Sequence, residues 1–378
     1  MPNAHDMIAS MTTLALAAAE SAPISAVGEG GAAGWLPGVA WLYAGFVLLV
    51  LFFLALDLGV FHRHAHVVHM REALTWSAVW IGCALAFNVG VYFMYENHWL
   101  GVGDAVRQLD GSVRAVDGFE AAKLFFTGYV VEKSLSMDNV FVIAMIFSYF
   151  GTPAQYQHRV LFWGIVGALI MRAIMIAAGA ALIAQFSWII YIFGGFLILT
   201  AIKMAVVRTE ALDPEKNPVI RLVRRLIPVT TAYDGQRFFT RIDGKRAATP
   251  LFLALVMVEF TDLIFAVDSI PAIFAITADP FLVFTSNIFA ILGLRALYFA
   301  LANLIERFRY LKPALIAVLL FVGIKMMLVH TAWKVPTGMA LLVVLGILGT
   351  GVLTSLMRPG KPEPDGADTT PPTGGAAP

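Results

Sequence analysis

Two stretches of this chain place carboxylates where the surrounding sequence makes them costly. Residues 132–139, EKSLSMDN, carry Glu132, Lys133, Asp138 and Asn139; residues 259–271, EFTDLIFAVDSIP, carry Glu259, Asp262, Asp268 and Ser269. Both lie within long apolar runs that read as membrane spans. An Asp or Lys at the middle of a span costs roughly 2.5–3.5 kcal/mol on insertion scales, so such residues need partners, and an ion pathway or proton relay is the default reading. The donors on offer are carboxylates, an amide oxygen and hydroxyls. Those are hard oxygen ligands, suited to Mn²⁺, Ca²⁺ or Mg²⁺ rather than to Cu⁺ or thiophilic metals. Neither segment holds a Cys or a His, and Met137, the only soft atom nearby, reads as packing.

Helical spacing sorts these residues. Positions six apart differ by about 240° on a straight helix, so Glu132 and Asp138 do not share a face, whereas Glu132, Ser136 and Asn139 do. Glu259, Asp262 and Ser269 form a similar stripe, with Asp268 a step to the side. Uniting Asp138 and Asp268 as central metal ligands, with Glu132, Asn139, Asp262 and Ser269 completing or gating the site, therefore requires both helices to break. Pro271 favours a break, because it cannot donate to the carbonyl of Val267 beside Asp268. Asp57, in LALDLGVF, is a further candidate ligand whose alternative is an interfacial pairing with Arg63 or Arg71. Glu259 is the candidate proton carrier. Lys133, Arg172, Lys203, Arg295 and Lys325 also fall within spans, where they neutralise excess carboxylate or compete with a metal for it. Asn88 reads as an interhelical hydrogen-bonding residue, while Asn287 stays open between that role and the site. His62, His64, His66 and His69 form a loop cluster that reads as solvated, with metal collection as the alternative.

The elements that must hold these residues follow from composition. The chain has 378 residues, 59% hydrophobic and 13% charged, with a mean hydropathy of +0.79. A soluble domain carries nearer a quarter charged residues, so this is an all-α polytopic membrane protein. Apolar stretches of about twenty residues mark spans, and nine are expected: 37–60, 73–96, 119–150, 159–183, 187–207, 250–278, 280–303, 312–330 and 335–357. The third and sixth, which hold the acids, are too long for a straight crossing and are expected to be broken or strongly tilted. Seventeen Lys and Arg fall on one side of such a bundle, and Arg107, Arg114, Lys123 and Lys334 on the other. The positive-inside rule then puts the N-terminus outside and the C-terminus in the cytoplasm of a bacterial inner membrane. Residues 1–34 read as a disordered extracytoplasmic tail, 35–207 as a first membrane half, 208–249 as a cytoplasmic insert with a hairpin at Asp243-Gly244, 250–357 as a second membrane half, and 358–378 as a disordered cytoplasmic tail. The single cysteine, Cys83, reads as packing, so no disulfide framework exists. The net formal charge of +1 hides that asymmetry of Lys and Arg; the expected partners are lipid and a divalent cation, and no nucleic acid.

The chain also repeats itself. Aligning Asp138 with Asp268 sets Glu132 over Asp262 and Asn139 over Ser269; WGIVGALIMR ending at Arg172 then matches SNIFAILGLR ending at Arg295, and GFLILTAIKM ending at Met204 matches AVLLFVGIKM ending at Met326. Each unit, about 119–207 and 250–330, holds three spans. An odd number forces the second copy to enter from the opposite side, the inverted repeat from which many secondary transporters are built.

These segments resemble the TerC family, the tellurite-resistance type of integral membrane protein that includes manganese exporters. The resemblance rests on EKSLSMDN at 132–139, ATPLFLALVMVEFTDLIFAVDSIPAIFAIT at 248–277, FTSNIFAILGLRALYF at 284–299 and ALDLGVFHR at 55–63. It implies Mn²⁺ efflux from the cytoplasm, with Asp57, Glu132, Asp138, Asp262 and Asp268 as functional positions. The chain is thus expected to be a divalent-cation exporter, working by proton antiport, without a cofactor and not an enzyme. Two rivals stand beside it. One is a membrane-protein assembly or scaffold factor, a role linked to plastid relatives. The other is an aspartyl protease with Asp138 and Asp268 as a dyad, against which the flanking residues offer no supporting motif.

Overall fold

The computed structural model describes residues 36–59, 70–186, 188–206, 217–242, 244–301, 310–331 and 333–357. Within these, α1 is Leu36–Gly59, α2 Met70–Glu96, α3 Gly118–Phe150, α4 Ala154–Gln185, α5 Ile189–Val206 and α6 Pro218–Leu226. Then come α7 Pro250–Phe274, α8 Pro280–Leu292, α9 Leu294–Leu301, α10 Leu311–Met327 and α11 Thr337–Met357. Two small hairpins complete the chain, β1 (Val106–Arg107) with β2 (Val113–Arg114) and β3 (Phe239–Ile242) with β4 (Lys245–Ala248). The expectations for the two terminal tails and for His62, His64, His66 and His69 concern residues outside those described.

Seven of the described helices are long and apolar enough to cross a membrane, counting α8 and α9 as one run. The protein is an all-α polytopic membrane protein. Two further long helices fall short for physical reasons: α3 carries Glu132, Lys133 and Asp138, and α10 has 17 residues. Helix ends follow local chemistry. Asp117 caps α3 by accepting from Glu120 N at 2.7 Å, and Gly151 closes it in the left-handed region, φ 59°. Thr249-Pro250 and Asp279-Pro280 open α7 and α8 with proline in the first turn, Asp279 accepting from Phe281 N at 2.9 Å.

The expected breaks lie elsewhere. Helix α3 runs uninterrupted through its 33 residues, and α7 passes through Pro271 to Phe274. At 1.5 Å per residue α3 is about 50 Å long, a length that tilt or projection beyond a ~30 Å core accommodates without a break. The interruption falls between α8 and α9 at Gly293, where a Cβ would lie 2.8 Å from Lys133 Nζ and 3.1 Å from Trp80 Cβ. A side chain there would have to push aside the Lys133 ammonium and press on Trp80. The α8–α9 run is the centre of the bundle, 94% buried over 280–300 against 17% for the window in α1.

Packing reproduces the repeat. Helix α3 lies on α8 as α7 lies on α4, and α5 packs on α10, its own repeat mate. Gly194 and Gly323 bring α5 and α10 together: a Cβ on Gly323 would stand 2.9 Å from Gly194 O, and one on Gly194 3.1 Å from Gly323 O. Small residues allow this approach between helices in lipid. On the loop side, Lys334 Nζ donates to Asp110 Oδ2 at 2.6 Å, and this bond with Ser112 holds the Asp110 carboxyl well below the usual carboxylate range.

Gly323→Ala is expected to destabilise the folded bundle by about 1–3 kcal/mol through overpacking. Gly195→Ala, where the added Cβ meets nothing within 4 Å, should change stability by no more than about 0.5 kcal/mol. Reversible unfolding in mixed micelles measures both.

Candidate functional site

Arg172 of α4 is the centre of the site. Its guanidinium is buried, 1% exposed, and reaches three other helices. Nη1 donates to Glu132 Oε1 of α3, to Ser269 Oγ of α7 at 3.2 Å and to Asn287 Oδ1 of α8 at 3.5 Å. Nε and Nη2 fork onto Asp262 of α7, at 3.3 Å to Oδ2 and 3.1 Å to Oδ1. Asn139 Nδ2 of α3 donates to the same Asp262 Oδ1 at 3.3 Å. An arginine fits because its planar fork can grip a carboxylate with two bonds and still spare a nitrogen for a second one.

The two-fold relation inferred from the repeat is visible here in side chains. Glu132 and Ser269 meet at Arg172 Nη1, and Asn139 meets Asp262. The repeat pairs Glu132 with Asp262 and Asn139 with Ser269, so each contact turns into the other when the halves are exchanged. Helices α3 and α7 are therefore antiparallel neighbours across a pseudo-dyad. Arg172 breaks the symmetry: its mate Arg295 is buried in α9, which packs on α2.

Asp138 and Asp268 are not united. Asp268 is half-buried and accepts from Thr200 Oγ1 of α5 at 3.0 Å, with Lys203 the nearby charge. Asp138 is also half-buried and faces the charge of Lys312 at the start of α10. With α3 and α7 unbroken, the turn of about 240° between Glu132 and Asp138 carries the latter away from the centre. In the antiparallel register set by Glu132–Ser269 and Asn139–Asp262, Asp138 and Asp268 stand about 7.5 Å apart along the axis. The central carboxylates are Glu132 and Asp262, and each outer aspartate leans on the third helix of the opposite repeat.

Several buried oxygens at the centre have no hydrogen-bond partner among the described residues. Glu132 Oε2, Ser136 Oγ and Asn139 Oδ1 are three of them, and they lie on one face of α3 at positions i, i+4 and i+7. Such atoms are rare in folded proteins, because leaving a buried polar group unpaired costs on the order of 1–3 kcal/mol. Glu259 Oε2 and Tyr129 Oη on neighbouring turns are orphaned as well. Glu259 is admitted by Gly167 of α4, where any Cβ would overlap its carboxylate. No three His, Cys, Asp or Glu converge as a ready-made metal cage among the described residues. The donor row is a mixed one of carboxylate, hydroxyl and amide.

Two of the three intramembrane lysines differ from the expectation of carboxylate pairing, while Lys203 lies near Asp268. Lys133 Nζ donates to Ala290 O at 3.1 Å, in the last turn of α8, and Lys325 Nζ to Ala275 O at 3.2 Å, at the end of α7. Both ammonium groups cap the negative C-terminal ends of helices. Asp57 lies in α1, and its side chain is outside the described residues. One buried acid escaped notice in the sequence: Asp279, which caps α8 and accepts from Tyr95 Oη at 2.6 Å. The Asp-Pro pair opening an apolar run was its signal.

Arg172→Gln should cost about 3–5 kcal/mol of stability, because two buried carboxylates lose their counter-charge. Glu132→Gln added to Arg172→Gln should recover part of that loss, a coupling of about 1–3 kcal/mol, read from the same unfolding curves.

The chain matches the model of the family described as "Integral membrane protein TerC family" over residues 118–362. That match opens at the first residue of α3 and spans both repeats. A membrane protein of Myxococcus xanthus, STKORF319, described as uncharacterized, is 51% identical over 321 residues, covering 85% of this chain and 93% of that one. A protein of Escherichia coli K12 that carries the name membrane-bound redox modulator Alx is 47% identical over 312 residues, 82% of this chain and 92% of its own. A membrane protein of Rickettsia felis is 39% identical over 320 residues, 85% and 98% of the two chains. No solved structure matches this chain. By family model and by relatives alike, the chain belongs to the TerC family of integral membrane proteins.

Proposed function

We propose that this protein exports a divalent cation of the hard class, Mn²⁺ first among them, from the cytoplasm across a bacterial inner membrane. The observation that carries the reading is the row of unpartnered oxygens Glu132 Oε2, Ser136 Oγ and Asn139 Oδ1, set opposite Asp262 in the middle of a polytopic bundle. A carboxylate, a hydroxyl and an amide oxygen are donors that Mn²⁺ accepts. Their burial excludes the water that would otherwise satisfy them. The inverted pairing of α3 with α7 supports transport, because such repeats give two nearly equivalent packings that open to opposite sides.

Arg172 supplies the mechanism with a tethered cation. Glu132 and Asp262 carry one charge more than Arg172 neutralises, so the centre attracts a cation even while the guanidinium is present. An entering Mn²⁺ takes oxygens from Arg172, which falls back on Ser269 and Asn287, the neutral partners already within reach of Nη1. On release the guanidinium returns, so neither state leaves bare carboxylates in the bilayer. Asp138 and Asp268 act as relay points on either side, each offset from the centre. Glu259, seated against Gly167 with one unpartnered oxygen, is the group that carries the exchanged proton.

The name borne by the Escherichia coli relative favours a redox reading as the alternative. In this chain the single cysteine, Cys83 on α2, cannot form an intrachain disulfide. A redox role would have to work by other chemistry.

In cells loaded with Mn²⁺, the wild-type chain should lower cell-associated Mn, while Asp138→Asn and Asp268→Asn at equal expression should lose most of that effect. Equal accumulation in all three would sink manganese export. Glu259→Gln should flatten the dependence of efflux on external pH in proteoliposomes; an unchanged pH profile assigns proton exchange to another group. The orientation argued from Lys and Arg places Met357 in the cytoplasm. A fluorescent protein fused there should mature, and alkaline phosphatase fused there should be inactive.

A further inference from the structure

We infer that α6 is an interfacial helix that binds anionic lipid headgroups at the membrane surface. Helix α6, PVIRLVRRL, opens on Asn217, which accepts from Val219 N at 2.8 Å, and has Pro218 in its first turn. It has three sides. Ile220, 1% exposed, and Val223 dock on the bundle beside Leu251 and Leu253 in the first turn of α7, with Phe147 of α3 in the same cluster. Leu222 and Leu226, at i and i+4, share a second side and are 55% and 71% exposed. Arg221 and Arg225, also i and i+4, share the third and are exposed.

Exposed leucines beside arginines on a helix docked at the mouth of a span are the pattern of a helix lying in the plane of the interface. The docking contact brings α6 to the membrane surface, because Leu251 belongs to the turn in which α7 begins. The adjoining hairpin is of the same character. Phe239 packs on Phe252 of α7 with ring centroids 4.6 Å apart, and Arg241, Lys245 and Arg246 are exposed on β3 and β4. Positive charge on the arginine side complements phosphate, and apolar area on the leucine side complements acyl chain. A phospholipid with a net negative headgroup offers both at once. This inference does not depend on what the protein transports.

The test uses the full chain with its single cysteine removed (Cys83→Ala) and a nitroxide on Leu226→Cys, reconstituted in phosphatidylcholine vesicles with or without phosphatidylglycerol. Relative accessibility to oxygen and to a nickel chelate gives the depth of the label. With phosphatidylglycerol the label should sit about 5–10 Å into the headgroup–acyl boundary, shielded from nickel relative to a label on the exposed Ala232. Arg221→Gln with Arg225→Gln should weaken the inserted state on the order of 30-fold, and lysine at both positions should restore it. A label as open to nickel as that on Ala232 in both vesicle types overturns the inference and leaves the face to an acidic protein. Equal depth with and without phosphatidylglycerol overturns the headgroup assignment.

Discussion

One guanidinium governs this protein. Arg172 is buried among apolar helices, where an isolated charge would be prohibitive, and it is tolerated because Glu132 and Asp262 reach it from opposite repeats. The bargain is mutual, since neither carboxylate could stay charged there alone. From this follow the antiparallel register of α3 and α7, the placing of Ser269 and Asn287 as secondary acceptors, and the central position of the α8–α9 run that carries Asn287. Burial of an ion triad is a weak source of net stability. Its value lies in setting one geometry and in leaving oxygens on α3 without a hydrogen-bond partner among the described residues.

Much of the bundle was legible in the sequence because apolar runs and caps are local. The expected 119–150 and 335–357 agree closely with α3 and α11, and Asp-Pro, Thr-Pro and Asn-Pro pairs stand where α8, α7 and α6 begin. The repeat was legible too, and the four residues it groups, Glu132 with Asp262 and Asn139 with Ser269, meet around Arg172. What misled was length. A helix longer than the slab can project from it, so the extent of α3 and α7 did not require breaks. The real break falls at Gly293, beside Trp80 and Lys133 of other helices, neighbours that only the tertiary structure supplies.

The same lesson applies to the charged groups. Nothing in a one-dimensional reading separates Arg172 from Arg295, since the two occupy matching places in the repeat. Only the fold sends the first to the centre and the second into α9 beside α2. Lys133 and Lys325 looked like counter-ions for carboxylates, whereas the exposed carbonyls of helix ends claimed them first. A helix terminus inside a bilayer is as demanding as an ion, and it is invisible until the terminus is located.

The glycine crossing of α5 and α10 has a mechanical meaning. It joins matching helices of the two halves with backbone almost touching backbone, near the pseudo-dyad. Points near such an axis would move least if the halves rocked against each other, as the transport proposed above requires, so on that reading this seam is a pivot. Bulk placed there would stiffen the motion as well as crowd the rest state. A joint this tight can still rotate, because glycine offers no side chain to catch.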